Sequence, residues 1–143
     1  MTTASILLTA KSNKNAELRL DFKFNNELIE SFVLTEQPQQ FKHEFDDSMA
    51  NHKFEIVLSN KRAEQTKLDQ HGQIIDDVFA EVYDVKINEI EVGDIFYGHS
   101  MYFHDFNGYS NPVVGQFFRT LGCNGIVKFE FSTPGYVWLM ENT

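Results

Sequence analysis

Four oxygen-bearing side chains between residues 60 and 77 have the chemistry of a calcium site. Asn60, Asp69, Asp76 and Asp77 lie in or beside a polar stretch that shows no strand period. Calcium takes roughly six to eight oxygen ligands, and carboxylates clustered on a loop can supply several of them. Asn and Asp are also ordinary turn-forming residues. The sequence therefore predicts calcium as a candidate cofactor, with a solvated loop as the alternative.

A second candidate surface is rich in aromatic side chains. Its members are Tyr97, Tyr102, Phe103, Phe106, Tyr109 and Trp138. Exposed aromatic rings stack on sugar rings or anchor protein interfaces, whereas buried rings fill a core. The sequence leaves all three roles open for this set.

No catalytic signature is present in the sequence. It contains no Gly-x-Ser-x-Gly elbow, P-loop or dinucleotide fingerprint. His99, His104 and Asp105 could serve a transition metal or acid–base chemistry, but a zinc site needs a further ligand, and Cys123 stands alone. The prediction is a non-enzymatic binding or structural module.

Strands with one apolar face must position these side chains. Leu18, Leu20, Phe22 and Phe24 alternate with charged residues, and the run from Phe54 to Leu58 repeats the pattern. Alternation with a period of two predicts strands that bury one face. The whole chain predicts an all-β fold: one antiparallel β-sandwich of jelly-roll type over residues 1–143, with about nine to eleven short strands.

Three further local expectations concern the segments around the candidate site and at the end of the chain. The stretch from Asn60 to Gln73 is expected to be mainly a loop that could contain a short helical turn around Arg62 to Lys67. The core is expected to resume from Ile74 to Ile87, and the last element, Tyr136 to Met140, is expected to be a strand.

Composition restricts the partners. The net charge of -9 argues against nucleic acid or an anionic membrane as the main partner, because both attract clustered Lys and Arg. The N-terminus has no positive region before its short apolar run, and no stretch approaches the ~20 apolar residues of a membrane span. The expectation is synthesis in a host cytoplasm without a signal peptide.

The first half of the chain carries a resemblance. His52, Phe54, Ile56, Leu58 and Asn60 fall at every second position, and the polar loop then leads to Asp77, Ala80 and Val82. This order resembles the calcium-dependent xylan-binding carbohydrate-binding modules, which are galactose-binding-like jelly rolls. The resemblance implies a calcium ion at the sandwich edge that coordinates sugar hydroxyls, and the matching positions are Asn60, Asp69, Asp76 and Asp77. The family's Asn-Asp pair is Asn60-Lys61 in this chain.

The second half of the chain, from Tyr97 to Asn142, has a different character. Its aromatic and glycine-rich texture is similar to small virion proteins of tailed bacteriophages. The main functional prediction is therefore a virion component (capsid decoration, neck or tail) that docks on other subunits or on copies of itself. The alternative is a calcium-dependent carbohydrate-binding module whose partner is a glycan.

Overall fold

The computed structural model of the protein describes residues 3–108 and 110–143. These residues form thirteen strands and two short α-helices. The strands are β1 (Thr3–Ser12), β2 (Arg19–Phe24), β3 (Glu27–Val33), β4 (Gln39–Asp46), β5 (Ala50–Ser59), β6 (Lys67–Leu68), β7 (Ile74–Asp76), β8 (Ala80–Ile87), β9 (Ile90–Glu91), β10 (Ser100–His104), β11 (Val113–Gln116), β12 (Thr120–Leu121) and β13 (Gly125–Thr133). The helices are α1 (Gly93–Gly98) and α2 (Gly135–Glu141).

The strands are arranged in two antiparallel sheets. One sheet has the order β12-β8-β1-β4, with β9 paired to β8, and the other has the order β11-β10-β13-β5-β2-β3. Strands β6 and β7 pair only with each other. The predicted antiparallel sandwich of jelly-roll type is confirmed. Of the thirteen strands in the described residues, ten have three or more residues, and the predicted number of strands was about nine to eleven.

Aromatic rings from both sheets meet in the core. Phe22 on β2 and Phe54 on β5 belong to one sheet, and Phe41 on β4 belongs to the other. The rings of Phe22 and Phe41 are stacked with their centroids 4.4 Å apart, and all three side chains are fully buried. Burying one such side chain contributes roughly 1.5–3 kcal/mol to stability. The apolar residues that alternate along these strands are therefore the main contacts that hold the two sheets together.

The prediction of a final strand over Tyr136–Met140 is wrong, because this segment belongs to helix α2. Trp138 and Leu139 are adjacent in sequence, and both are buried. The Trp138 ring lies 5.5 Å from the Phe129 ring and 6.2 Å from the Phe131 ring on β13. A strand would point consecutive side chains to opposite faces, whereas the helix packs this pair against one sheet.

The connection between β5 and β8 passes from one sheet to the other at one end of the sandwich. A 3-10 turn at Ala63–Gln65 confirms the predicted helical turn. The prediction that the core resumes at Ile74 is wrong, because Ile74 and Ile75 are 62% and 67% exposed on the β6–β7 hairpin. Within the described ranges, neither helix has the length and apolar character needed to cross a membrane.

Candidate functional site

A groove of about 520 Å³ lies at the end of the sandwich where β5 and β10 stop and β8 and β13 begin. We call it the end groove. Its lining residues are Ala63, Thr66, Leu68, Ile74, Asp77, Phe106, Asn107, Gly122 and Cys123. They come from three segments that are distant in the sequence, so the groove exists only because the sandwich brings these segments together.

The walls of the end groove are apolar and exposed. Leu68 and Ile74 project from the β6–β7 hairpin, and Phe106, which is 51% exposed, projects from the loop after β10. Large apolar side chains that remain exposed around a concave surface are a feature of ligand-binding or protein-binding sites.

The loop that carries Phe106 has an unusual backbone. Phe106 and Asn107 both adopt left-handed conformations, with φ values of 52° and 59°. The Phe106 amide donates to His104 Nδ1 at 3.1 Å, and the Gly108 amide donates to the Asp105 carboxylate at 2.8 Å. Such conformations are costly for residues with a side chain, and they concentrate at functional sites. Here they hold the Phe106 ring at the rim of the groove.

The floor of the end groove offers polar atoms with unused bonding capacity. Asp77 Oδ1 accepts from Lys61 Nζ at 2.6 Å, from Thr66 Oγ1 at 2.7 Å and from the Val78 amide at 2.9 Å. No described residue donates to Asp77 Oδ2. Asn107 Oδ1 accepts from the Asn124 amide at 2.8 Å, and no described residue accepts from Asn107 Nδ2. Among the described residues, the floor therefore presents an acceptor and a donor that have no hydrogen-bond partner.

Beneath the floor lies a buried cation, the ammonium group of Lys61. This side chain is 0% exposed. Its Nζ donates to Asp77 Oδ1, to the Val78 carbonyl and to the Gly122 carbonyl, the last at 3.0 Å. An ammonium group has three N–H donors, and each has an oxygen partner here.

The candidate calcium ligands do not form one coordination shell. Asn60 donates its amide to the Glu17 carbonyl at 2.7 Å. Asp69 closes the β6–β7 turn, where its Oδ1 accepts from the amides of His71 and Gln73 at 2.8 and 3.0 Å. In residues 3–108 and 110–143, no three His, Cys, Asp or Glu side chains are grouped to hold a metal ion.

The remaining two candidate ligands are paired with lysines. Asp76 accepts a hydrogen bond from Lys14, and this contact holds the pKa of the Asp76 carboxyl below its usual value. Asp77 is paired with Lys61. A calcium ion beside Asp77 would meet the positive charge of Lys61 at short range, so these residues do not fit the ion.

Three of the six candidate aromatic contacts point inward. Tyr97 is partly buried and donates its hydroxyl to the Val82 carbonyl at 2.8 Å, and its burial raises its pKa. The Tyr102 hydroxyl is buried against the backbone of Cys123. Trp138 packs on β13, as described above.

The other three candidates differ in exposure. Phe103 is half-buried on the outer face of its sheet, with Lys128 Nζ 4.9 Å from its ring centroid. Phe106 stands at the rim of the end groove, and its role as a contact residue stays a prediction. Tyr109 lies outside the described residues.

The sandwich has the fold of a class of carbohydrate-binding modules. A structure of the module vCBM60 in complex with galactobiose matches it with a TM-score of 0.55 and 14% identity, over 87% of this chain and 96% of that module. A second structure, the selenomethionine form of vCBM60, matches with a TM-score of 0.55 and 13% identity, over 88% of this chain and 89% of the module. For that module, circular permutation provides an evolutionary link between two families of calcium-dependent carbohydrate-binding modules. At this level of identity the likeness establishes the fold.

No protein-family model and no curated protein matches the sequence. The sequence resemblance covers about half of the chain, whereas the structural likeness extends over most of it. Neither of the two matching structures is of a virion protein.

Several of the groove residues could not be predicted from the sequence. Leu68 and Ile74 carried a signal, because they are apolar residues at the ends of an otherwise polar loop. Lys61 was noticed only as a departure from the family's Asn-Asp pair. Asn107 carried no signal, because its neighbours in the groove are far away in the sequence.

Proposed function

We propose that this protein is a non-catalytic carbohydrate-binding module that holds a neutral glycan in the end groove. The observation that carries the proposal is the exposed Phe106 ring in the same groove as Asp77, to whose Oδ2 no described residue donates, in a sandwich with the fold of carbohydrate-binding modules. The volume of about 520 Å³ falls within the usual range for small-ligand sites.

The chemistry of the groove suits a sugar. A pyranose ring has an apolar face of C–H groups and a rim of hydroxyls that both donate and accept hydrogen bonds. The Phe106 ring can stack on the apolar face, Asp77 Oδ2 can accept from one hydroxyl, and Asn107 Nδ2 can donate to another. The apolar walls at Leu68 and Ile74 then exclude water from the contact.

Charge narrows the ligand class. With a net charge of -9, the protein would repel sulfated and acidic glycans. Neutral oligosaccharides are the expected ligands. Galactobiose, which was bound in one of the matching structures, and xylan oligosaccharides, which the sequence resemblance implies, are the first probes to use. Calcium is not part of this proposal, because the oxygens beneath the groove floor already surround an ammonium group.

The test compares two exposed phenylalanines. Phe106→Ala removes the ring at the groove, and Phe118→Ala removes a ring that is 65% exposed elsewhere on the surface. For the best ligand from a panel of neutral oligosaccharides, we expect Phe106→Ala to weaken binding about tenfold or more, which corresponds to at least ~1.4 kcal/mol. Phe118→Ala should bind like the wild type. Equal affinities for the two variants, or no binding by the wild type to any neutral glycan, would refute the proposal.

A second candidate function is docking onto other protein subunits, the virion role predicted from the sequence. The observation in its favour is strand β11, which lies at the edge of its sheet with all four residues exposed. Val113 and Val114 add an apolar surface there, and an unpaired strand edge can accept a strand from a partner. Sedimentation of the wild type and of Val114→Lys tests this role. Self-association that the lysine abolishes would support it, and a strictly monomeric wild type that captures no virion protein would count against it.

A further inference from the structure

We propose that Lys61 is the resident cation of the end groove: its ammonium group holds Asp77 in place, so that the groove binds its ligand without a divalent ion. This inference rests on the proposed function for its link to the ligand. Its physical content, a site that needs no calcium because a lysine occupies it, can be tested on the protein alone.

The partners of the ammonium group are the kinds of oxygen that hard cations take. Asp77 supplies a carboxylate oxygen, and Val78 and Gly122 supply backbone carbonyls. Carboxylates and carbonyls of this kind also bind calcium. One positive and one negative charge are brought together, so the pair is neutral within the protein.

Burial makes the pairing obligatory. An ammonium group without partners costs several kcal/mol to remove from water, and removing one partner of a buried pair is strongly destabilising. Lys61 is fully buried, and each of its donors has a partner. The three oxygens lie on the connection before β8 and on the turn after β12, so this one side chain ties the end of β5 to two other segments.

The lysine is also fixed through its backbone. The Lys61 amide donates to Asn124 Oδ1 at 2.9 Å, and the Lys61 carbonyl accepts from Asn124 Nδ2 at 2.9 Å. The Lys61 backbone, just after β5, is therefore fixed against the turn that leads into β13, and the side chain starts from a defined position. Such preorganisation lowers the entropy cost of holding a long side chain in one conformation.

The consequence for the groove concerns Asp77. Lys61 and Thr66 both donate to Oδ1, so Oδ2 is the carboxylate oxygen left for a ligand. Lys61 acts on the ligand through Asp77 and is a positioning residue. A second cation beside the same oxygens would be repelled by Lys61, which sets this groove apart from a calcium-dependent one.

The first test measures thermal unfolding of the full chain in calcium, in magnesium and in EDTA. A ligand that binds only the folded state must raise the melting temperature. We expect the melting temperature to change by less than about 1 °C between these conditions, because no ion binds to stabilise the native state. A rise of about 3 °C or more in calcium would overturn the proposal.

The second test is a double-mutant cycle of Lys61→Met and Asp77→Asn. Asp77→Asn leaves the buried Lys61 ammonium without its carboxylate partner, and we expect it to lower the melting temperature by roughly 10–15 °C. Lys61→Met leaves the partly exposed Asp77 carboxylate without its cation and should also lower the melting temperature. The double variant removes both charges and should melt above the Lys61→Met variant. Additive losses in the double variant would show that the two charges are not coupled, which would overturn the proposal.

The third test separates the charge of Lys61 from its bulk. Lys61→Ala leaves a space that n-propylammonium matches in length and charge, whereas 1-propanol is a neutral molecule of similar length. We expect propylammonium, and not propanol, to raise the melting temperature of Lys61→Ala by several degrees and to leave the wild type unchanged. Equal effects of the two compounds would overturn the proposal, and if this variant does not fold, the double-mutant cycle decides alone.

Failure of this inference can be told apart from failure of the proposed function. If the wild type binds no glycan but shows the calcium independence and the coupling described above, only the proposed ligand is wrong. If the wild type binds glycan and loses this binding in EDTA, the role of Lys61 is wrong and the proposed function stands.

Discussion

Replacing Tyr102 by phenylalanine removes one oxygen atom and two hydrogen bonds beside the end groove. The Tyr102 hydroxyl accepts from the Cys123 amide at 3.0 Å and donates to the Cys123 carbonyl. Burial raises the pKa of this hydroxyl far above its ordinary value, so it stays protonated and can donate throughout the range in which the protein is handled. Cys123 lies between Gly122 and Asn124, both of which hold Lys61.

The expected cost of Tyr102→Phe is about 2 kcal/mol. A buried polar group left without a partner costs roughly 1–3 kcal/mol, and the partial exposure of Cys123 lets water replace part of what is lost. With an unfolding entropy of roughly 2.1 cal/mol/K per residue, 143 residues give about 0.3 kcal/mol/K. The melting temperature should therefore fall by about 7 °C.

Calorimetry or circular dichroism of the variant measures this fall. Tyr83→Phe is the matched control, because it makes the same chemical change at a hydroxyl that no described residue pairs with, and the Arg119 guanidinium 4.6 Å above the ring is retained. The control should melt within about 1 °C of the wild type. If Tyr102→Phe also melted within about 1 °C of the wild type, the Tyr102–Cys123 hydrogen bonds would contribute nothing to stability, and the reasoning behind this prediction would be refuted.

Two further predictions concern the rest of the fold. Burial lowers the pKa of His43 and His52 below the unfolded value of 6.5. Below about pH 6.5 the unfolded chain therefore binds more protons than the folded protein does. The free energy of unfolding should fall progressively as the pH drops from about 6.5 toward the lower pKa values of the folded state. Urea midpoints at pH 7 and pH 5 measure this loss, and a slope that persists after both histidines are replaced by glutamine would contradict the assignment. Trp138→Ala should cost roughly 3–5 kcal/mol by detaching α2 from β13, whereas Tyr136→Ala on the exposed face of α2 should cost less than about 0.5 kcal/mol. Equal urea midpoints for these two variants would show that the helix is not held by its tryptophan.

The strands with one buried face were predictable from the sequence because their physics is local. Leu18 to Phe24 and Phe54 to Leu58 alternate with a period of two, and each burial pattern follows directly from that period. The Asn25-Asn26 hairpin was predictable for a related reason. Both residues adopt left-handed backbones, with φ values of 51° and 70°, which asparagine tolerates better than most residues.

Helix α2 was not predictable, because apolar and polar residues do not alternate in its sequence. Tyr136 to Met140 are all apolar, so their pattern is compatible with a strand or with a short buried helix. The outcome depends on the surface that Phe129 and Phe131 present on β13. That surface forms only in the tertiary fold, so the pattern of apolar residues within the segment does not predict it.

The candidate site was only partly predictable, because its key contact joins distant residues. Asp77 was identified as an oxygen-bearing residue in or beside the polar stretch, but its partner is Lys61, and the third member of the cluster is the carbonyl of Gly122. A lysine in a polar loop ordinarily extends into water. Its burial here depends on the Gly122 turn, which lies 61 residues further along the chain.

The β6–β7 hairpin belongs to neither sheet, yet it supplies a wall of the end groove. Residues 69–73, between its strands, can therefore vary in length and composition without a change in the pairing of any core strand. Part of the proposed ligand-contact surface is thus encoded in a stretch of the chain that pairs with no core strand. The hairpin is therefore a place where the sequence can be varied, in evolution or in a display library. Replacing residues 68–74 should change which ligands the end groove selects, while the two sheets remain folded.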